Sequence, residues 1–121
     1  MKIIIDEFIE GIPYCKDKVK GDLQAPKRWS EAIRRATKYF PKVQGRVSMN
    51  LKFVLPREKY PSDHPYGPDL DNLLKPFLDA LGTTVLSQVQ GKDGAVVRLS
   101  VTKRKALRDE TTGVRMILNE L

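Results

Sequence analysis

Two carboxylates, Asp69 and Asp71, stand two residues apart at the head of an apolar-periodic segment, and Lys75 and Asp79 follow Asp71 at steps of four. In mid-helix, side chains two residues apart point about 200° away from each other. At a helix start, Asp69 can stay extended or capping while Asp71 lies on the first turn, so both carboxylates can approach one point. Asp71, Lys75 and Asp79 then share the polar side of the helix. Oxygen donors without His or Cys suit a hard cation such as Mg²⁺, with Mn²⁺ as its substitute. Such an ion polarises a phosphodiester and lowers the pKa of a bound water, and an adjacent ammonium stabilises charge developing on phosphate. The same residues also have a purely structural use. Asp69 caps the helix, Asp71 complements its dipole, and Lys75 pairs with Asp71 one turn on. Spacing alone leaves both uses open.

The segment presenting these groups reads as a helix from about Asp69 to Leu81, with Leu70, Leu73, Leu74, Phe77, Leu78 and Leu81 on its buried side. Pro76 lies inside that pattern, where it deletes a backbone donor and should bend the helix or shift its start. Gly82 is a natural stop. Pro56 to Pro68, ahead of it, holds four prolines with Tyr60, His64 and Tyr66. A long, stiff loop of this kind often carries function. His64 could serve there as a general base, and Tyr14, Tyr60 and Tyr66 could stack on bases or pack against prolines.

Gly45 to Leu55 alternates. Val47, Met49, Leu51, Phe53 and Leu55 point one way, and Arg46, Ser48, Asn50 and Lys52 the other, which is a strand with one wet face. Pro26 to Phe40 reads as a helix with an apolar stripe of Trp29, Ala32, Ile33, Ala36 and Phe40, and Trp29 is expected in the core. Lys27, Arg28, Arg34, Arg35 and Lys38 collect on its opposite face. Ile3 to Ile9 reads as a strand, Gly11 to Ala25 as an exposed loop or arm, and Val85–Val89, Ala95–Val101 and Val114–Leu118 as further strands. The order β-α-β-α-β-β-β gives an α/β (α+β) domain, a small mixed sheet with two main helices on one face.

Composition narrows the function. The 121 residues, 40% apolar and 31% charged, suit one ordinary globular domain over 1–121. A single cysteine, Cys15, excludes an intrachain disulfide framework, and a single histidine, His64, excludes multi-histidine metal sites. No window approaches the ~18 apolar residues of a membrane span, and the acidic start is no secretion signal, so a cytoplasmic protein is expected. Serine-protease, kinase and Rossmann signatures are absent. The net charge is +7, and residues 1–60 hold 14 basic against 7 acidic groups, leaving 8 of each beyond. A basic surface of this kind attracts polyanions, nucleic acid first among them.

The run Asp69-Leu70-Asp71-Asn72-Leu73-Leu74-Lys75, followed by Asp79-Ala80-Leu81, resembles the signature of the RusA family of Holliday junction resolvases. The resemblance implies a crossover junction endodeoxyribonuclease of bacterial or phage origin, small, homodimeric and Mg²⁺-dependent. It would act in DNA recombination and repair and leave 5′-phosphate and 3′-hydroxyl nicks. Asp69 and Asp71 then correspond to the first two metal-binding carboxylates and Lys75 to the family lysine needed for cleavage. Aligning Val96–Val101 with the family's next strand puts Asp93 at the third carboxylate. The chain departs from the pattern there, with Lys92 for the first acid of the pair and Ala95 two positions past the second. Asp93 can equally be a turn residue, since Lys-Asp-Gly suits a hairpin, and Asp79 is then the next third carboxylate. Gly11-Ile12-Pro13-Tyr14 replaces the proline- and asparagine-containing motif common after the family's first strand.

The expectation is a structure-selective endonuclease that binds Mg²⁺ through Asp69, Asp71 and Asp93, uses Lys75 on the phosphate, and contacts the DNA backbone of a four-way junction through Lys27, Arg28, Arg34, Arg35 and Lys38. Paired symmetric nicks call for a two-fold homodimer. The alternatives are a non-catalytic nucleic-acid-binding domain of the same fold, favoured by the departures around Lys92–Ala95, and a structural or partner-binding domain whose charges only confer solubility.

Overall fold

Val47, Met49, Leu51, Phe53 and Leu55 are all buried, and their shared side of one strand decides where the core lies. The structure is a computed structural model that describes residues 2–13, 24–57 and 70–121. The described chain runs β1 (Lys2–Glu10), α1 (Ala25–Thr37), β2 (Val47–Leu55), α2 (Leu70–Leu81), a 3-10 turn (Lys92–Ala95), β3 (Val96–Lys105) and β4 (Gly113–Glu120). The four strands lie in the order β1-β4-β2-β3. β4 pairs antiparallel with both β1 and β2, and β3 pairs parallel with β2. A parallel pair cannot be joined by a hairpin, and α2 provides the crossover. The sheet is thus the mixed one that the alternation of helices and strands implies.

Both helices cover the face carrying the odd-numbered β2 side chains. Trp29 and Ile33 of α1 and Leu73, Phe77 and Leu81 of α2 join Ile5, Ile9, Met116 and Leu118 in one buried cluster. Phe53 and Phe77 meet edge to face across the layers, with ring centroids 6.0 Å apart. Pro76 does not end α2. A proline inside a helix costs about 3 kcal/mol, whereas each fully buried Leu or Phe contributes about 1.5–3 kcal/mol. Leu73, Phe77 and Leu81, all fully buried, outweigh the lost donor.

Two local expectations change. Val85–Val89 forms a run of turns, not a strand, although Val85, Leu86 and Val89 are buried. β2 is already flanked by β4 and β3, so the core strand has no free edge for another partner. The Val85 carbonyl instead accepts the Val43 N–H at 2.9 Å, and the Leu86 N–H donates to the Leu81 carbonyl at 2.9 Å. In α1, Ala36 is exposed and Thr37 takes the buried place at the end of the stripe. The Thr37 hydroxyl can be buried because it reaches the Ile33 carbonyl at 2.8 Å and the Thr84 hydroxyl at 2.7 Å.

Candidate active site and nucleic-acid interface

α2 opens where β2 and β3 end and closes where they begin. Its last residue leads into Gly82, and the Lys92 side chain lies within 3.7 Å of where a Gly82 Cβ would stand. Twelve residues of helix span about 18 Å. Asp71, in the first turn, and Asp93, in the 3-10 turn before β3, therefore stand at opposite ends of α2, and a single chain does not bring them together. Among the described residues, no group of three His, Cys, Asp or Glu side chains is arranged to hold a metal ion. Asp69 lies outside the described residues, as do Cys15, His64, Tyr14, Tyr60 and Tyr66.

Within α2, Lys75 pairs with Asp79, Nζ to Oδ1 at 3.6 Å, and not with Asp71. Asp71 is exposed and has no ion-pair partner among the described residues; its Oδ1 accepts the Asn72 N–H at 3.0 Å. The expected Asp71–Lys75 helix pair is absent, which leaves the carboxylate exposed at the head of α2. That donor chemistry fits a hard cation held by one or two carboxylates together with waters and phosphate oxygens. Asp93 is exposed, and its carbonyl accepts the Val96 N–H. It sits in a turn entering β3 from α2, not in a hairpin, and Gly91 (φ 79°) and Lys92 (φ 47°) make the bend by left-handed backbone.

The five basic residues expected on α1, Lys27, Arg28, Arg34, Arg35 and Lys38, are all exposed, on the side away from Trp29 and Ile33. Lys38 Nζ lies 5.4 Å from the centroid of the Tyr39 ring, and Tyr39 is 88% exposed. Because α1 packs against α2, the basic face and Asp71 belong to the same helical layer.

Residues 22–117 match the family described as Endodeoxyribonuclease RusA. The chain belongs to the RusA endodeoxyribonuclease family. The RusA match takes in α1, β2, α2, β3 and most of β4, and with them Asp69, Asp71, Lys75 and Asp93. RusA nucleases act on Holliday junction DNA, which accords with the basic face of α1. No curated protein matches the sequence. Among the described residues, no helix is long and apolar enough to cross a membrane.

One feature of this RusA chain was not anticipated from sequence. Arg104 at the end of β3 grips Glu110 with both guanidinium nitrogens, each bond 2.6 Å long. Glu110 Oε1 also accepts the Leu107 N–H at 2.8 Å. The Arg104 hydrogen bonds, with help from the Leu107 N–H, hold the Glu110 carboxyl down at about 2. The sequence carried only a faint sign of this clamp, two acids directly after the basic run Lys103–Arg108.

Proposed function

We propose that the protein is a Mg²⁺-dependent endonuclease that resolves four-way junctions by paired nicks, acting as a homodimer in the cytoplasm in DNA recombination and repair. The single domain spans 1–121. The observation that carries this reading is the exposed Asp71 carboxylate at the head of α2, without an ion-pair partner among the described residues, within a segment matched to the RusA family. Asp69 and Asp71 are the residues to hold the ion, with Mn²⁺ an expected substitute. When bound, the ion supplies a polarised phosphate and a more acidic water. Asp71 fixes the position of that chemistry at one end of the sheet. Lys75, 67% exposed and only loosely tied to Asp79, is free to swing towards a phosphate oxygen and stabilise its developing charge. Lys27, Arg28, Arg34, Arg35 and Lys38 grip the backbone and position the DNA without reading its sequence. Asp93 can join an ion at Asp71 only if a second chain supplies it, which a two-fold dimer allows.

The test is cleavage of a synthetic four-way junction. Symmetric nicks with Mg²⁺ and none in EDTA are expected; nicking that persists in EDTA would overturn the metal mechanism. The separation of Asp71 from Asp93 also favours a second reading, a junction-binding domain without activity. That reading gives binding but no nicks in either condition.

A further inference from the structure

An isolated exposed leucine says nothing by itself, since apolar atoms make up much of any protein surface. Leu107, 67% exposed, is different because of what holds it and what surrounds it. It begins a turn pinned in both directions: its N–H donates to Glu110 Oε1 at 2.8 Å, and its carbonyl accepts the Glu110 N–H at 2.9 Å. Arg104 clamps Glu110 from the adjoining strand, and the Ala106 N–H ties the root of the turn to the Leu55 carbonyl at 2.8 Å. Asp109, at φ 65°, completes the bend in the left-handed region. A large apolar side chain is thus held out on a short, rigid support, so little conformational freedom is lost when it is buried in a partner.

The setting points to the partner. Arg108 follows the leucine and is exposed, whereas Arg104 is held by Glu110 and the Lys105 ammonium is buried. Arg57 and Leu107 line one open cleft of about 700 Å³, together with Pro56, Asp109, Glu110 and Thr112. Exposed arginines on both sides of the leucine, Arg57 and Arg108, suit phosphates flanking a base step better than the rim of an apolar pocket. The turn also sits where β2 and β3 end, the pole at which α2 begins and Asp71 stands.

We propose that Leu107 is an apolar wedge that enters the base stack of branched DNA, with the exposed Arg57 and Arg108 on the flanking phosphates. Wedges of this kind unstack a base step and kink the duplex, and stacking is already interrupted at a branch point, where insertion is cheapest. The cleft beside Leu107 gives a displaced base room. Glu110 is a positioning residue, acting only through the turn. The proposal rests on the reading of the protein as a junction-binding nuclease.

The experiment places 2-aminopurine at the branch point of a four-way junction and follows its fluorescence in EDTA, where the DNA stays uncut. Wild-type protein should raise the signal. Leu107→Ala should remove at least about half of that rise, with affinity within roughly threefold and an unchanged salt slope, because the phosphate contacts remain. Leu107→Phe should restore it. Arg104→Lys, which keeps the charge but loses the two-pronged grip, should lower it. An equal rise with Leu107→Ala, or none from bound wild-type protein, would overturn the wedge and leave the nuclease reading standing. Unstacking that depends on Leu107 in a protein that never cleaves with Mg²⁺ supports the wedge and removes the nuclease. Wild-type protein that binds no junction overturns both.

Discussion

Lys75 has a carboxylate one turn away on either side, and it turns to Asp79. The sequence contains both options at the same spacing, so the constellation was legible but the choice between partners was not. The choice has consequences. Asp71, left exposed beside the helix start, repels phosphate until a cation intervenes. Asp71→Asn should therefore abolish junction cleavage while leaving junction binding intact or tighter, measured by gel shift beside the cleavage assay. Circular dichroism separates this from a lost helix contact, which would instead unfold part of α2. Glu110 gives a second residue-scale expectation. Its carboxyl is held at about 2 against an ordinary 4.5, first by Arg104. The native turn thus favours the charged form. The stabilisation is complete above about pH 4.5 and lost as pH falls from there towards 2. Titration of the Glu110 carboxyl by NMR should show the depressed value, and Arg104→Ala should return it towards the ordinary one.

Among the elements, those with a clean period were legible. The β2 alternation and the Leu73–Phe77–Leu81 stripe appear as expected, since burial on one face enforces both. Val85–Val89 was not legible, because its apolar run is set by a place in the core and not by a sheet neighbour. The burial of Thr37 has no local sign in the sequence, because it depends on Thr84, 47 residues away. Gly113 is another non-local case. At φ 152° it opens β4 opposite Glu10, and a Cβ there would strike the Ile9 carbonyl oxygen and the Phe8 ring. Gly113→Ala should destabilise the fold by more than about 1 kcal/mol in denaturant unfolding, because backbone cannot give way as a side chain does. The α1 face makes the opposite expectation. Arg34→Ala with Arg35→Ala touches only exposed groups, so stability should change little. Binding to any DNA should weaken and the salt slope flatten by about 0.9 for each lost contact on duplex arms. The cut position should stay the same. An unchanged slope would make this face merely solvated.

For the molecule as a whole, the decisive fact is that α2 separates Asp71 from Asp93 by most of its length. Sequence order brought them into one motif-based set; topology divides them, because a parallel crossover must return the chain to the far end of the sheet before β3 begins. If one ion uses both carboxylates, they come from different chains, and the dimer needed for paired nicks is also needed to build each site. Mixing two inactive variants tests this. In a heterodimer of Asp71→Asn and Asp93→Asn chains, a shared arrangement leaves one site with both substitutions and the other with neither. Half the dimers are heterodimers after random exchange, so roughly a quarter of wild-type sites should return, as single nicks and not paired ones. A site contained within one chain gives no recovery, because every site then carries one substitution. Full activity of Asp93→Asn alone would show that Asp93 only shapes its turn. Asp79, tied to Lys75 on the face of α2 that Asp71 heads, would then be the next carboxylate to substitute.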